Sequence, residues 1–267
     1  MKKIIAYASV TFFAACFLLP FIIMLFGSLR DMQYALLSPA YWFSDQLTLD
    51  NYRYVLSDGI FLRWIFNSVV ITVIPVFSQM FFCTVLGYIF AKKVFPGREV
   101  IFWVFMAVVM IPQQLLIIPK YIMFSNFGWI NSYEALIVPE IWGIMGVFLI
   151  RQYLQNIPND FEEAAKIDGA GDFKIFMKII FPLAIPVVAT VGTFSFIANW
   201  NDLFQPLIYM TQENMFPVTV GLASLLGKEG HFGIEMAGSA ISFIPTFLIF
   251  LFFQRYFTEG IQLSGLK

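Results

Sequence analysis

The segment Glu163-Ala164-Ala165-Lys166-Ile167-Asp168-Gly169, followed after nine residues by Ile179-Ile180-Phe181-Pro182, decides how this chain is read. It is short, charged and helix-forming, and long apolar stretches lie on both sides of it. The flanks partition into a bilayer, whereas closely spaced charges do not. A charged patch of this kind on an otherwise apolar chain is where a water-soluble partner can reach the protein.

Composition supports the membrane setting. Of 267 residues, 60% are hydrophobic and only 12% charged, against about 45–50% and about 25% in soluble domains. The 33 phenylalanines suit a lipid-facing or bundle-packing surface. A net charge of −1 gives no footing for nucleic acid. Cys16 and Cys83 sit inside separate apolar runs and read as inert packing groups rather than a disulfide. With His231 as the single histidine, neither a zinc site nor a Ser-His triad has the residues it needs.

A spanning helix takes about 20 mostly apolar residues. Ile4–Leu29, Trp64–Ala91, Val100–Pro119, Ile179–Asn201 and Met236–Gln254 each qualify. Asn131–Ile150 is a sixth candidate, interrupted by Glu134 and Glu140. The expectation is an all-α, polytopic membrane protein with six spans, forming a single transmembrane domain over 1–267. Met1-Lys2-Lys3 and Ala14-Ala15-Cys16 also fit a lipoprotein signal cleaved before Cys16. However, Phe17 to Leu29 stays apolar past that cysteine, and Phe13 stands where a Leu is expected, so the first run reads as a transmembrane helix.

Orientation follows from the basic residues. With the N-terminus inside, most of the 16 Lys and Arg fall in cytoplasmic segments, among them Lys92, Lys93, Arg98, Arg151, Lys166, Lys174 and Lys178. Both termini are then cytoplasmic. Two outer segments have substance, 30–63 with Tyr41-Trp42-Phe43, and 211–235, whose Gly221, Gly227, Gly230 and Gly233 favour turns over continuous helix.

The cytoplasmic segment 157–178 has helix signals. Asp160 is placed to cap a helix, with Glu163 closing a capping box, and Gly169 supplies a positive φ at its end. Asp172 offers a second N-cap. A helix of about eight residues is ~12 Å long and marginal in isolation. Phe161, Ala164 and Ala165 share one face by the i, i+3, i+4 rule. The two alanines let a partner approach the backbone, while Glu162, Glu163 and Lys166 point elsewhere around that seam.

This pattern resembles the cytoplasmic EAA loop of permease subunits of binding-protein-dependent ABC importers, which reads Glu-Ala-Ala, three residues, Gly, nine residues, Ile-x-Leu-Pro. Glu163, Ala164, Ala165, Gly169, Ile179 and Pro182 occupy those places, with Phe181 replacing the Leu. The longer string to Ala170, Trp200-Asn201-Asp202 with Pro206-Leu207, and the tail Glu259-Gly260 to Gly265-Leu266-Lys267 resemble the carbohydrate, maltose-permease branch, with the permease core at about 61–257.

The resemblance implies that Phe161, Glu162, Glu163, Ala164, Ala165, Asp168 and Gly169 form a coupling helix seated on a cytoplasmic ATPase subunit, with Glu163 meeting a basic side chain. It implies no cofactor in this chain, ATP and magnesium belonging to the ATPase subunits. The expected partners are a second and different permease, an extracytoplasmic solute-binding protein touching the glycine-rich outer loop, a sugar and membrane lipid. The nearest approach to a Walker A motif, Gly221 to Gly227-Lys228, has five intervening residues and is followed by Glu229.

Substrate contacts are open on sequence. Glu140 reads either as a lining group of the sugar pathway or as a carboxylate near the outer interface paired with Lys120. Asn199, Asn201 and Asp202 read as pathway groups or as the polar outer end of the fifth span. A secondary transporter would need mid-membrane carboxylates and inverted repeats, and only Glu140 comes close. A membrane enzyme would need clustered catalytic groups inside the bundle.

Overall fold

The structure, a computed structural model, describes residues 2–30, 47–225 and 232–264, with the side chains of Lys2 and 257–264 outside that description. Tyr41-Trp42-Phe43, the Gly227–Gly230 part of the outer loop and the final Gly265-Leu266-Lys267 therefore lie outside the described residues. Among the described residues there is helix and no strand.

The order is α1 (Lys2–Ser28), α2 (Asp50–Ser57), α3 (Gly59–Lys92), α4 (Arg98–Ala107), α5 (Ile117–Asn126), α6 (Glu134–Ile137), α7 (Ile144–Gln155), α8 (Asp160–Ile167), α9 (Asp172–Ile175), α10 (Phe181–Leu183), α11 (Ile185–Trp200), α12 (Phe204–Tyr209), α13 (Val218–Leu225) and α14 (Phe232–Ser264). Within the described residues, Lys3–Ser28, Gly59–Lys92 and Phe232–Tyr256 are long and apolar enough to cross a membrane. Two bent helix pairs raise the number to five if each pair is one span.

The spans differ from the sequence expectation where proline interrupts them. Val100–Pro119 is expected as one helix, yet it is two segments meeting at 85°. Ile111, preceding Pro112, is driven to extended φ/ψ of −86°/113°, because the proline ring crowds an α-conformation before it. The fifth span bends by 75° after Leu183, with Pro182 and Pro186 on either side of the break. Pro182 has no N–H for the Lys178 carbonyl, and Phe176–Ile180 widens into a π turn just upstream.

Asn131–Ile150 is not a continuous helix. It comprises α6, a 3₁₀ turn at Val138–Glu140, and then α7, which starts after an extended Gly143. Twelve residues of α7 rise only ~18 Å. The interrupted backbone is satisfied from α3, whose Gln79 amide donates to the Glu140 carbonyl at 2.8 Å.

The core is α3, α7 and α11. Close contacts pair Gly143 with Gln79, Gly146 with Cys83 and Ile150 with Gly87, so α7 runs parallel to α3. Gly192 of α11 lies against Met80, and Trp200 packs near Trp64, so α11 is antiparallel. Cys83, Val147, Ile150, Leu154, Ile180 and Val188 are buried between them. Both cysteines are unpaired, as expected; Cys83 is a buried packing group, whereas Cys16 is exposed rather than packed.

The end of the bundle opposite α8 is closed by side-chain-to-backbone bonds. Asn67 donates to the carbonyls of Asn214 and Phe216, each at 2.9 Å, and accepts from Tyr133 at 2.7 Å. Trp64 donates to the Glu213 carbonyl at 2.9 Å. Gly221, expected in a turn, stands inside α13. A Cβ there would lie 2.2 Å from the Trp64 ring, so this glycine serves close packing.

Candidate functional site

The segment 157–178 forms two short helices lying against the C-terminal end of α3. α8 covers the expected stretch, although its beginning differs from expectation. Its N-cap is Asn159, which makes no side-chain cap, and Asp160 is the first helical residue. The capping box is therefore absent. The Asn159 carbonyl accepts from the N–H groups of Glu162 and Glu163 at 2.9 and 3.1 Å. Asp160, Glu162 and Glu163 still sit in the first turn, where the helix dipole favours negative charge.

The end of α8 is as the glycine foretold. Gly169 has φ +76°. The Ala170 N–H bonds to the Ala165 carbonyl at 2.9 Å and the Gly169 N–H to the Lys166 carbonyl at 3.0 Å. That pair of bonds is a Schellman motif, and the left-handed residue it needs is cheapest as glycine. Asp172, expected as a cap, is instead the first residue of α9 behind Gly171.

α8 is fastened by three residues at the end of α3. The Tyr88 hydroxyl donates to Glu162 Oε2 at 3.0 Å, and Lys93 Nζ lies 3.7 Å from the same oxygen and 2.7 Å from Asp172 Oδ1. Lys92 donates to Asn159 Oδ1 at 2.8 Å and to the Ile157 carbonyl. Burial alone would lower the pKa of Lys93; the Asp172 carboxylate and the Tyr88 hydroxyl outweigh it and hold the ammonium above the ordinary lysine range. Ile175 and Phe176 are buried beneath, the Phe176 ring 5.4 Å from that of Tyr88.

Arg151 makes a second tie at the same end. It is buried, donates to both Glu99 oxygens at 2.9 and 2.8 Å, and stacks over Phe102 at 3.8 Å.

The seven expected docking residues thus divide. Phe161, Glu163, Ala164, Asp168 and Gly169 are exposed, and Ala165 is half-buried against the core. Glu162 differs from expectation: its side chain is 7% exposed and turned into the bundle. Two exposed apolar residues went unremarked in the sequence, Ile167 at 86% and Phe173 at 76%. The available signal was their position in a polar loop, where a large apolar side chain has no bilayer to face.

Three of the four suspected pathway residues share a small cavity. Glu140, Asn199 and Asp202 line it together with Gln205, Ile71 and Pro206. A neighbouring cavity of about 170 Å³ joins Asp202 and Gln205 to Lys120, Gln113 and Gln114. Asn201 is not among them; it is exposed and donates to the Ile197 carbonyl at 2.8 Å. Asp202 also has a structural duty, since Oδ1 accepts the Phe204 N–H at 2.9 Å where α12 begins. No group of three or more metal-ligating side chains is found among the described residues.

A helical bundle with interrupted spans and a short amphipathic helix fastened to its polar end is the architecture of a transport subunit. Residues 83–263 match the family of inner membrane components of binding-protein-dependent transport systems, and the chain belongs to that family. It is a membrane-embedded, non-catalytic subunit. An arabinooligosaccharide transport system permease of Halalkalibacterium halodurans is 35% identical over 223 residues, covering 83% of this chain and 80% of the relative. A trehalose/maltose transport system permease of Thermococcus litoralis is 31% identical over 273 residues, covering 100% and 98%. The fold matches a chain in the crystal structure of a bacterial ABC transporter involved in the import of the acidic polysaccharide alginate, with a TM-score of 0.85, 24% identity and 96% of both chains covered.

Proposed function

We propose that this chain is one permease of an ATP-driven importer for a sugar or oligosaccharide. A solute-binding protein delivers the substrate to the end closed by Asn67 and Trp64. ATPase subunits grip the opposite end through α8 and the neighbouring residues of α9, and their closure around ATP and magnesium shifts the bundle between outward and inward opening. The proposed topology places both termini and α8 in the cytoplasm. A second, different permease completes the translocation path, to which Glu140, Asn199 and Asp202 contribute polar groups.

The observation that carries this reading is the exposed face of the loop. Glu163, Ala164, Ile167 and Phe173 are presented on a helix pair whose other face is anchored on α3. Large apolar residues held outward by a rigid base, beside small residues that admit a partner, make a docking surface. The sugar assignment rests on the named substrates of the relatives and on the Trp200-Asn201-Asp202 stretch.

The test is uptake of radiolabelled arabinotriose and maltotriose by proteoliposomes holding the complete transporter with its binding protein. Uptake is expected to require internal ATP and to stop when the ATPase subunits are removed. Uptake driven by an ion gradient without ATP would instead indicate a secondary transporter. In intact cells, an impermeant amine reagent should leave Lys166 and Lys174 unmodified; labelling there reverses the topology.

A further inference from the structure

Glu162 holds a buried charge that the docking surface does not use. One oxygen, Oε2, takes the Tyr88 hydroxyl and faces Lys93; the other, Oε1, is buried and has no hydrogen-bond partner among the described residues. Lys93 also bonds Asp172, the first residue of α9. Both helices of the loop are thus tied to one ammonium at the end of α3. A helix as short as α8 has little stiffness alone, so a load on its outer face reaches the bundle only through whatever fastens its inner face. Packing of Ala165 and Ala170 resists slippage weakly, because methyl groups offer little contact area. A buried carboxylate resists it strongly, since leaving Lys93 strands an uncompensated charge.

We propose that Tyr88, Glu162, Lys93 and Asp172 form the transmission joint of this subunit, making α8 and α9 move as one body with α3. The inference rests on the docking function proposed above and assigns Tyr88, Glu162 and Lys93 as positioning residues. Glu163 faces the ATPase side, whereas Glu162 faces the bundle.

The test uses the complete transporter in proteoliposomes, with radiolabelled arabinotriose or maltotriose, whichever the wild-type complex takes up. Solute transported per ATP hydrolysed is the readout, because a merely structural defect lowers both rates together. Glu162→Gln should retain the ATPase subunits and their hydrolysis while the ratio falls about tenfold, within the usual range of coupling between sites. Lys93→Met should behave alike. A wild-type ratio in Glu162→Gln overturns the proposal. Loss of the ATPase subunits in that variant also overturns it, by making Glu162 a direct contact. Should the Glu162→Gln chain fail to fold into the membrane, Tyr88→Phe removes a single hydroxyl and must still lower the ratio. A wild-type preparation lacking any ATPase subunit would refute the docking function itself, a result distinct from failure of the joint.

Discussion

A methyl group placed on Gly87 would stand 2.6 Å from Cγ2 of Ile150 and 3.1 Å from the Arg151 backbone nitrogen. α3 and α7 therefore touch backbone to side chain at the polar end of the bundle, directly beneath the residues that hold α8. Gly87→Val should force the two helices apart and destabilise the protein by about 1–3 kcal/mol, the usual cost of overpacking. A lowered Tm in detergent micelles would show it. Gly59, where an added Cβ meets nothing within 4 Å, provides the control: Gly59→Ala should leave Tm nearly unchanged.

Gly169 makes a different demand, on backbone rather than space. Nothing lies within 4 Å of an added Cβ, yet its φ is +76°. Gly169→Val should cost about 1–3 kcal/mol through strain at that torsion, with the damage confined to the end of α8. In that variant, hydrogen exchange is expected to quicken at positions 169 and 170 while the amides of Val147 and Ile150 keep their protection. Equal loosening of both regions would contradict this.

The docking surface yields a third prediction. Ile167→Asp and Phe173→Ser should abolish co-purification of the ATPase subunits without lowering Tm, because both side chains stand in the open. Ala164→Trp should do the same by bulk. Ala165→Trp is a less discriminating probe, since Ala165 is half-buried against the core and the substitution disturbs the bundle as well. Retention of the ATPase subunits by Ile167→Asp and Phe173→Ser would place the docking surface elsewhere.

Asn67 closes the far end. It is fully buried and feeds the carbonyls of Asn214 and Phe216. Asn67→Leu leaves the Phe216 carbonyl and the Tyr133 hydroxyl without this partner, while the Asn214 carbonyl keeps the Arg63 Nε–H at 3.3 Å; stranding a polar group away from water costs about 1–3 kcal/mol. The Tm should fall, and proteolysis should become faster near Phe216. Full stability in Asn67→Leu would show that these two groups find other partners.

Much of the loop was legible because its determinants are local. The end of α8 depends on a single residue free to take a positive φ, and Gly169 stands where the helical charges stop. Its beginning is ambiguous in the sequence for a related reason: Asn159 and Asp160 are both competent caps, and which of them takes the place is set by how the chain leaves α7. The bends at Pro112 and Pro182 have local causes too, although an apolar run reads through a proline as if the helix continued. The fate of Glu162 was not legible. Two adjacent glutamates on one helix turn differ by about 100° in direction, and only the position of α3 says which of them is inside.

Sequence by itself determined that this chain lives in a bilayer, is built of helices, and carries a polar helix, ended by Gly169, between its apolar spans; hydrophobicity, proline and glycine act over a few residues and need no distant partner. Tertiary structure alone decided that Glu162 is buried on Tyr88 and Lys93, that Ile167 and Phe173 are left outside, and that Glu140, Asn199 and Asp202 line one cavity while Asn201 does not. Those outcomes depend on contacts between residues tens of positions apart, and the distances involved exist only once α3, α7 and α11 have packed.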